Sequence, residues 1–199
     1  MFYRVSEARQ AASVKVRDAH HLRKSASDVL NESVNFAEGK HFDVFLSHSF
    51  HDAEVILGVK AIIEAQGKSV YVDWVEDKQL DRKNVTAVTA DVLRRRMRSC
   101  SSLIYASSSS AETSKWMPWE LGYFDGYKPG MVSILPLVDR DDAEWKGQEY
   151  LGLYPVIDRL EHSGSRQPFV VKRDKSAQRL SRFGESDSYI WKDVYGKAI

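Results

Sequence analysis

The sequence predicts an α/β protein built on a parallel sheet with helices on both faces. Three observations lead there. Short apolar runs, most of them nearly continuous in Val, Ile, Leu and Phe, recur between residues 42 and 157, as in strands buried on both faces. Segments with helical apolar spacing separate them. The alternation of strand and helix repeats along that whole stretch, which implies parallel pairing through right-handed crossovers.

Composition sets the outer limits. The chain has 199 residues, 43% hydrophobic and 29% charged, with a formal net charge of +1. That is ordinary for a globular protein of one domain with extensions. Near-neutrality argues against a field that draws the chain to nucleic acid or to a membrane surface. No segment approaches the roughly 18 consecutive apolar residues of a membrane span. The opening Met1-Phe-Tyr-Arg-Val-Ser-Glu7 lacks the apolar core of a signal peptide. A single cysteine, Cys100, forms no intramolecular disulfide and fits a reducing, cytoplasmic setting. It reads as a small buried hydrophobe rather than a nucleophile.

Residues 1–39 form an N-terminal helical extension. Residues 1–38 contain no Gly or Pro, and Ala8, Ala12, Ala19, Leu22, Ala26, Val29, Leu30 and Val34 trace an apolar stripe. Such a helix either packs on the domain or serves a partner. His20 and His21 are adjacent, so they face apart on a helix and do not make a metal site. No metal is expected anywhere.

The α/β domain occupies residues 40–160. Phe42-Asp-Val-Phe-Leu-Ser47 is its first strand, followed by the polar loop His48-Ser-Phe-His-Asp52. Asp52 is a suitable N-cap for a helix over 53–66 that Gly67 ends. Ser69-Val-Tyr-Val-Asp-Trp74 alternates and reads as the second strand. A charged loop follows, then a helix marked by Val85, Val88, Val92 and Leu93. The basic run Arg94-Arg-Arg96 with Arg98 suits a helix C-terminus; a nucleic-acid patch is disfavoured by the balanced charge. Ser102-Leu-Ile-Tyr-Ala106 and Met131-Val-Ser-Ile-Leu-Pro-Leu-Val138 are the next strands, with Pro136 pointing to an edge or a strand end. Tyr154-Pro-Val-Ile157 is the last. Residues 161–199 form a mixed C-terminal extension, with a strand near Phe169-Val-Val171 and a helix over Ser176–Phe183. Tyr189-Ile-Trp-Lys-Asp-Val-Tyr195 is apolar enough to dock.

Between the third and fourth strands lies Ser114-Lys-Trp-Met-Pro-Trp-Glu-Leu-Gly122. Pro118 fits only a first helical turn, so the helix starts near Ser114 or Trp116, with Ser114 as N-cap. Trp116 and Glu120 then share one face, a turn apart. Glu120 is either a surface acid at a favourable helix end or a carboxylate held in a cleft. In open parallel sheets ligands bind beyond the C-terminal strand ends. The loops 47–52, 75–84 and 107–114 all fall on that rim. A serine hydrolase is not supported: there is no G-x-S-x-G elbow, and no acid is recognisable in the sequence to orient His48 or His51. No G-x-G-x-x-G or G-x-x-x-x-G-K is present either.

Phe42-Asp-Val-Phe-Leu-Ser-His-Ser-Phe-His-Asp52 resembles the first box of bacterial TIR (Toll/interleukin-1 receptor) domains. Val70-Tyr-Val-Asp-Trp74 resembles their second strand, and Ser114-x-Trp116-x-x-x-Glu120-Leu-Gly resembles the W-x-x-x-E helix of the NAD-consuming type. The likeness spans roughly residues 40–160. Residues 75–84, in the place of the family's BB loop, contain neither Pro nor Gly. The resemblance implies a flavodoxin-like three-layer fold with a central five-stranded parallel sheet. It implies cleavage of the nicotinamide–ribose bond of NAD+, a substrate rather than a cofactor, with Glu120 catalytic. It puts Ser47, His48, Ser49, Phe50, Asp52, Asp73, Trp74, Ser114 and Trp116 around the substrate. It also implies TIR–TIR self-association, a linear or cyclic ADP-ribose product that reaches a downstream effector, and a place in Thoeris-like anti-phage defence. The competing expectation is a TIR scaffold without turnover.

The chemistry suits one carboxylate. Nicotinamide leaves neutral, so no general acid is needed. Positive charge develops at the ribose carbon, as in an oxocarbenium-like transition state, and a fixed carboxylate stabilises it.

Overall fold

The computed structural model describes residues 1–21, 41–73, 86–140, 144–185 and 192–193. The elements and loops expected at Leu22 to Val34, at Trp74 and over 75–84, and across most of 189–195 lie outside these residues.

Five parallel strands form the centre, in the order β3-β2-β4-β5-β6: β2 Phe42–Ser47, β3 Val70–Tyr71, β4 Cys100–Ser107, β5 Val132–Val138 and β6 Val156–His162. This is the flavodoxin-like order, whose switch point falls where the first strand meets the third. Helices α1 (Val5–His21) and α2 (Ala53–Glu64) cover one face; α3 (Ala87–Arg98) and α4 (Met117–Tyr127) cover the other. Burial divides the same way. Val44, Leu46, Ile104 and Ala106 point to the first face, and Phe45, Leu103 and Tyr105 to the second, the period-two alternation of a strand covered on both sides.

The described part of the N-terminal extension packs on the domain. Its first residues, β1 (Tyr3–Arg4), pair with Leu137 and Val138 of β5. Arg159 reaches the carbonyl of Phe2 and the carboxylate of Glu7. Helix α1 then crosses α2 with Ala8 and Ala12 buried. Gly58 permits that crossing: a Cβ on it would stand 1.7 Å from the carbonyl oxygen of Ala8.

Several sequence expectations are corrected. The second strand is confined to Val70–Tyr71 rather than running from Ser69 to Trp74. Val88 does not belong to an apolar stripe: it is 74% exposed, and Thr89, Leu93 and Met97 face inward instead. Pro136 lies in an interior strand, near its end, between the pairing of Ile134 with β6 and the pairing of Leu137 with β1. The fifth strand does not stop at Ile157. It runs to His162 and turns through Ser163 and Gly164, both at positive φ (52° and 76°), into β7 (Ser165–Val171). Two positive φ values suit the tight hairpin turn whose twist matches the strands. The helix expected over Ser176–Phe183 is a strand, β8 (Ser176–Arg179), and a short 3₁₀ turn over Leu180–Arg182. The turn before it explains this: Lys175 has φ 63° and Asp174 accepts from the Ser176 amide, so the chain returns along β7. Pairing overrides the helix propensity of Ala, Gln, Arg and Leu. Lys192–Asp193 adds a last antiparallel strand, β9.

Candidate active site

The site begins at the C-terminal end of β2. Ser47 is the last residue of that strand and is 1% exposed. Its hydroxyl donates to Oε2 of Glu120 at 2.6 Å. Glu120 sits in the first turn of α4, its amide bonded to the carbonyl of Trp116. The helix starts at Met117, with Pro118 in the first turn, and the Ser114 hydroxyl accepts from the Met117 amide. The N-cap position is Trp116, so the expectation of Ser114 as the cap is corrected: its hydroxyl reaches the first helical amide from two residues before the cap.

Glu120 is fully buried. A buried charge is costly unless hydrogen-bonded. The 2.6 Å contact is in the range of a hydroxyl bonded to a carboxylate, shorter than a neutral bond, and the helix N-terminus favours negative charge there. The surface-acid reading of Glu120 is thus excluded: this side chain is held inside.

Tyr105 is a neighbour the sequence did not single out. It is the cross-strand partner of Ser47. Burial, then the Tyr150 hydroxyl, then the charges of Glu120 and Glu112 push its phenol upward, so it keeps its proton. The available signal was register: parallel pairing of β2 with β4 sets Ser47 opposite Tyr105, two residues before the end of β4.

The other expected residues divide into pairs. Asp52 does not cap α2 with its side chain. Its Oδ2 instead accepts from Ser108 Oγ at 2.5 Å and from Ser110 Oγ. This ties the loop after β2 to the loop after β4. His48 and Asp73 are both buried, with His48 Nε2 3.0 Å from Asp73 Oδ1. The expectation that no acid orients a histidine is therefore corrected: Asp73 stands beside His48. On the other side of the ring, Nδ1 lies 3.2 Å from the Ser49 carbonyl. Ser49 is buried and accepts from the His51 amide. Trp116 is 7% exposed and packs edge-on against Trp119 at 5.4 Å. The side chain of Phe50 and all of Trp74 lie outside the described residues.

Cys100 is buried and its thiol is pushed up to about 12, chiefly by burial, so it stays protonated near neutral pH. Among the described residues no group of three or more His, Cys, Asp or Glu is placed to hold a metal ion. No described helix is long and apolar enough to cross a membrane.

No family model matches the chain. A protein of Bacillus cereus (strain MSX-D12) named "Probable 3' cyclic ADP-D-ribose synthase ThsB'" is 51% identical to it over 146 residues, which cover 71% of this chain and 75% of that protein. The chain belongs to the ThsB′ family of bacterial TIR proteins. A second relative, from Cytobacillus dafuensis, is named "Putative cyclic ADP-D-ribose synthase TIR2". It is 36% identical over 96 residues, 46% of this chain but 24% of its own length. Membership of the ThsB′ family agrees with the parallel order of β2 to β6.

Proposed function

We propose that the chain is a TIR-type NAD+ cyclase, which breaks the nicotinamide–ribose bond and closes the remaining ADP-ribose on itself. The names of its relatives support the reaction class. The observation that carries the site is the buried contact between Ser47 and Glu120 at the switch point of the sheet.

The reaction balances without a cofactor. The C1′–N bond breaks, its electron pair goes to the pyridinium nitrogen, and neutral nicotinamide leaves. The ribose carbon becomes cationic, and a nucleophile of the same molecule then bonds to it. A proton is released to water. Glu120 supplies fixed negative charge beside the developing cation. Ser47 sets the direction of that carboxylate. Tyr105, protonated, adds a neutral polar neighbour. Exclusion of water favours internal attack over hydrolysis, and Trp116 and its neighbours contribute the apolar wall.

Glu120 is covered in the described conformation. This supports a resting state in which substrate entry requires the covering groups to move. We assign that opening to self-association between copies of the chain, which would keep NAD+ consumption off until a signal arrives. Within a host cell the reading is a cytoplasmic anti-phage protein whose nucleotide product acts on a separate effector.

The test is product identification. Purified protein with NAD+ should release nicotinamide and a species with the mass of ADP-ribose less one water. Linear ADP-ribose alone would replace the cyclase reading with a hydrolase.

A further inference from the structure

Ring closure poses a proton problem that the buried acid does not solve alone. A ribose hydroxyl of the adenosine half that bonds to the cationic carbon must shed its hydrogen. Glu120 is fully buried, and its Oε2 already accepts from Ser47. A carboxylate that took the hydrogen would lose the charge needed for the next cation. Being buried, it also lacks a direct path for returning the proton to water.

A series of phenols runs outward from the same spot. Tyr105 is the cross-strand partner of Ser47 and is 1% exposed. It packs in the apolar cluster under α4, the helix that carries Glu120, and it feels that carboxylate's charge. Its hydroxyl is bonded to that of Tyr150, and Tyr150 donates to Oε1 of Gln148. A phenol carries one hydrogen. With Tyr150 committed to Gln148, Tyr105 is the donor of the pair, and it offers only lone pairs inward. The series ends at the surface. Tyr150 stands in the 3₁₀ turn Glu149–Leu153, which buried Leu151 anchors, and both Tyr150 and Gln148 are half-exposed. Packing alone would be served as well by phenylalanines, since a buried hydroxyl is costly unless bonded. Two successive hydroxyls leading away from a buried acid are therefore a feature that the core does not require.

We infer that Tyr105 and Tyr150 form a proton relay that serves ring closure. The inference rests on the cyclase reading and on Glu120 as its acid. As the substrate oxygen bonds to the cationic carbon, its hydrogen passes to Tyr105 Oη. The Tyr105 hydrogen passes to Tyr150 Oη. The Tyr150 hydrogen, turned from Gln148, passes to water at the half-exposed end. Each phenol finishes with one hydrogen, the substrate's O–H bond is replaced by the C–O bond, and one proton appears in solution. Burial keeps Tyr105 neutral, so the transfers are concerted and do not pass through a phenolate.

The experiment is the ratio of cyclic to linear ADP-ribose formed from NAD+ by the full chain, read by mass spectrometry, for wild type, Tyr105→Phe and Tyr150→Phe. Each variant keeps the ring and removes the hydroxyl. The ratio should fall about tenfold or more in both, up to the roughly 10²-fold at which the effect of a positioned proton acceptor begins. Added imidazole should raise the ratio several-fold in Tyr150→Phe, by taking the proton where the phenol stood. A site merely loosened to admit water would not respond to it. Tyr154→Phe removes a neighbouring phenol that bonds to Asp125 instead, and its ratio should match wild type. Glu120→Gln should stop nicotinamide release itself, so failure of the acid and failure of the relay are told apart. A ratio unchanged in either Tyr105→Phe or Tyr150→Phe overturns the inference, as does a fall in Tyr150→Phe that imidazole leaves unrepaired. A wild-type chain that forms no cyclic product overturns it together with the cyclase reading.

Discussion

Ser47 Oγ donates to Glu120 Oε2 across 2.6 Å, although 73 positions separate the two residues in the chain. One ends β2 and the other lies in the first turn of α4, the helix that follows the neighbouring β4. The fold brings them together because β2 and β4 are adjacent and in parallel register, with Ser47 opposite Tyr105. That hydroxyl thereby bears on the direction of the acid proposed to act on NAD+.

Ser47→Ala removes that donor and leaves the carboxylate buried without it. Loss of one partner of a buried charged group costs about 1–3 kcal/mol. Chemical denaturation should show a loss of that size. Nicotinamide release should fall about tenfold with the fold retained. Full activity in Ser47→Ala would show that the hydroxyl does not orient the acid.

Asp52→Ala cuts the tie between the two rim loops, since its carboxylate accepts from both Ser108 and Ser110. Hydrogen bonds to a charged group contribute about 1.5–3 kcal/mol. Amide exchange around Ser108–Ser110 should speed up, and the KM for NAD+ should rise more than kcat falls. Unchanged exchange would mean the loops are held by other contacts.

Gly58→Ala places a methyl group against the backbone of Ala8. Backbone cannot swing aside as a side chain can, so α1 must move. Overpacking of this kind costs about 1–3 kcal/mol. The thermal midpoint should drop, and Ala8 and Ala12 should gain solvent exposure by hydrogen exchange. An unchanged midpoint would show that α1 contributes little to the domain.

Asp43 supplies a pH dependence. Burial alone would raise its carboxyl, but hydrogen bonds from the Ser69 hydroxyl and amide, with Lys68 nearby, outweigh this and hold it low. A lowered folded-state value means stability that is present above the unfolded value, about 3.9, and is lost as pH falls through the folded one. Glu64 adds to the same trend: burial raises it, and Lys60 and Lys15 more than offset this. Acid unfolding should therefore set in below about pH 4. Asp43→Asn should flatten that dependence while lowering stability at neutral pH. An acid profile identical to wild type would remove this group from the account.

The sheet was legible because its strands carry their signal locally. Phe42 to Ser47, Ser102 to Ala106 and Met131 to Val138 are apolar runs bounded by polar turns, and each proved to be a strand. The acid was legible because Trp116, Pro118 and Glu120 fix a helix start and a shared face. What escaped was set by distant partners. Nothing near Asp52 says that its carboxylate meets Ser108 and Ser110 instead of capping α2. Nothing near His48 says that Asp73 stands beside it. The β6–β7 hairpin was missed because its turn, Ser163-Gly164, is only two residues long and interrupts no periodic pattern. Ser176–Arg179 reads as helix because its residues favour helices in isolation, and only the neighbouring strand makes them extended.

The central claim is that one buried carboxylate carries the reaction. Its most direct test is nicotinamide release from NAD+ by purified Glu120→Gln beside the wild-type chain, with circular dichroism and thermal midpoint as checks on the fold. The account predicts a loss on the order of a hundredfold or more, by analogy with removing one preorganised electrostatic stabiliser, from a protein that remains folded. Turnover equal to wild type in folded Glu120→Gln would contradict it.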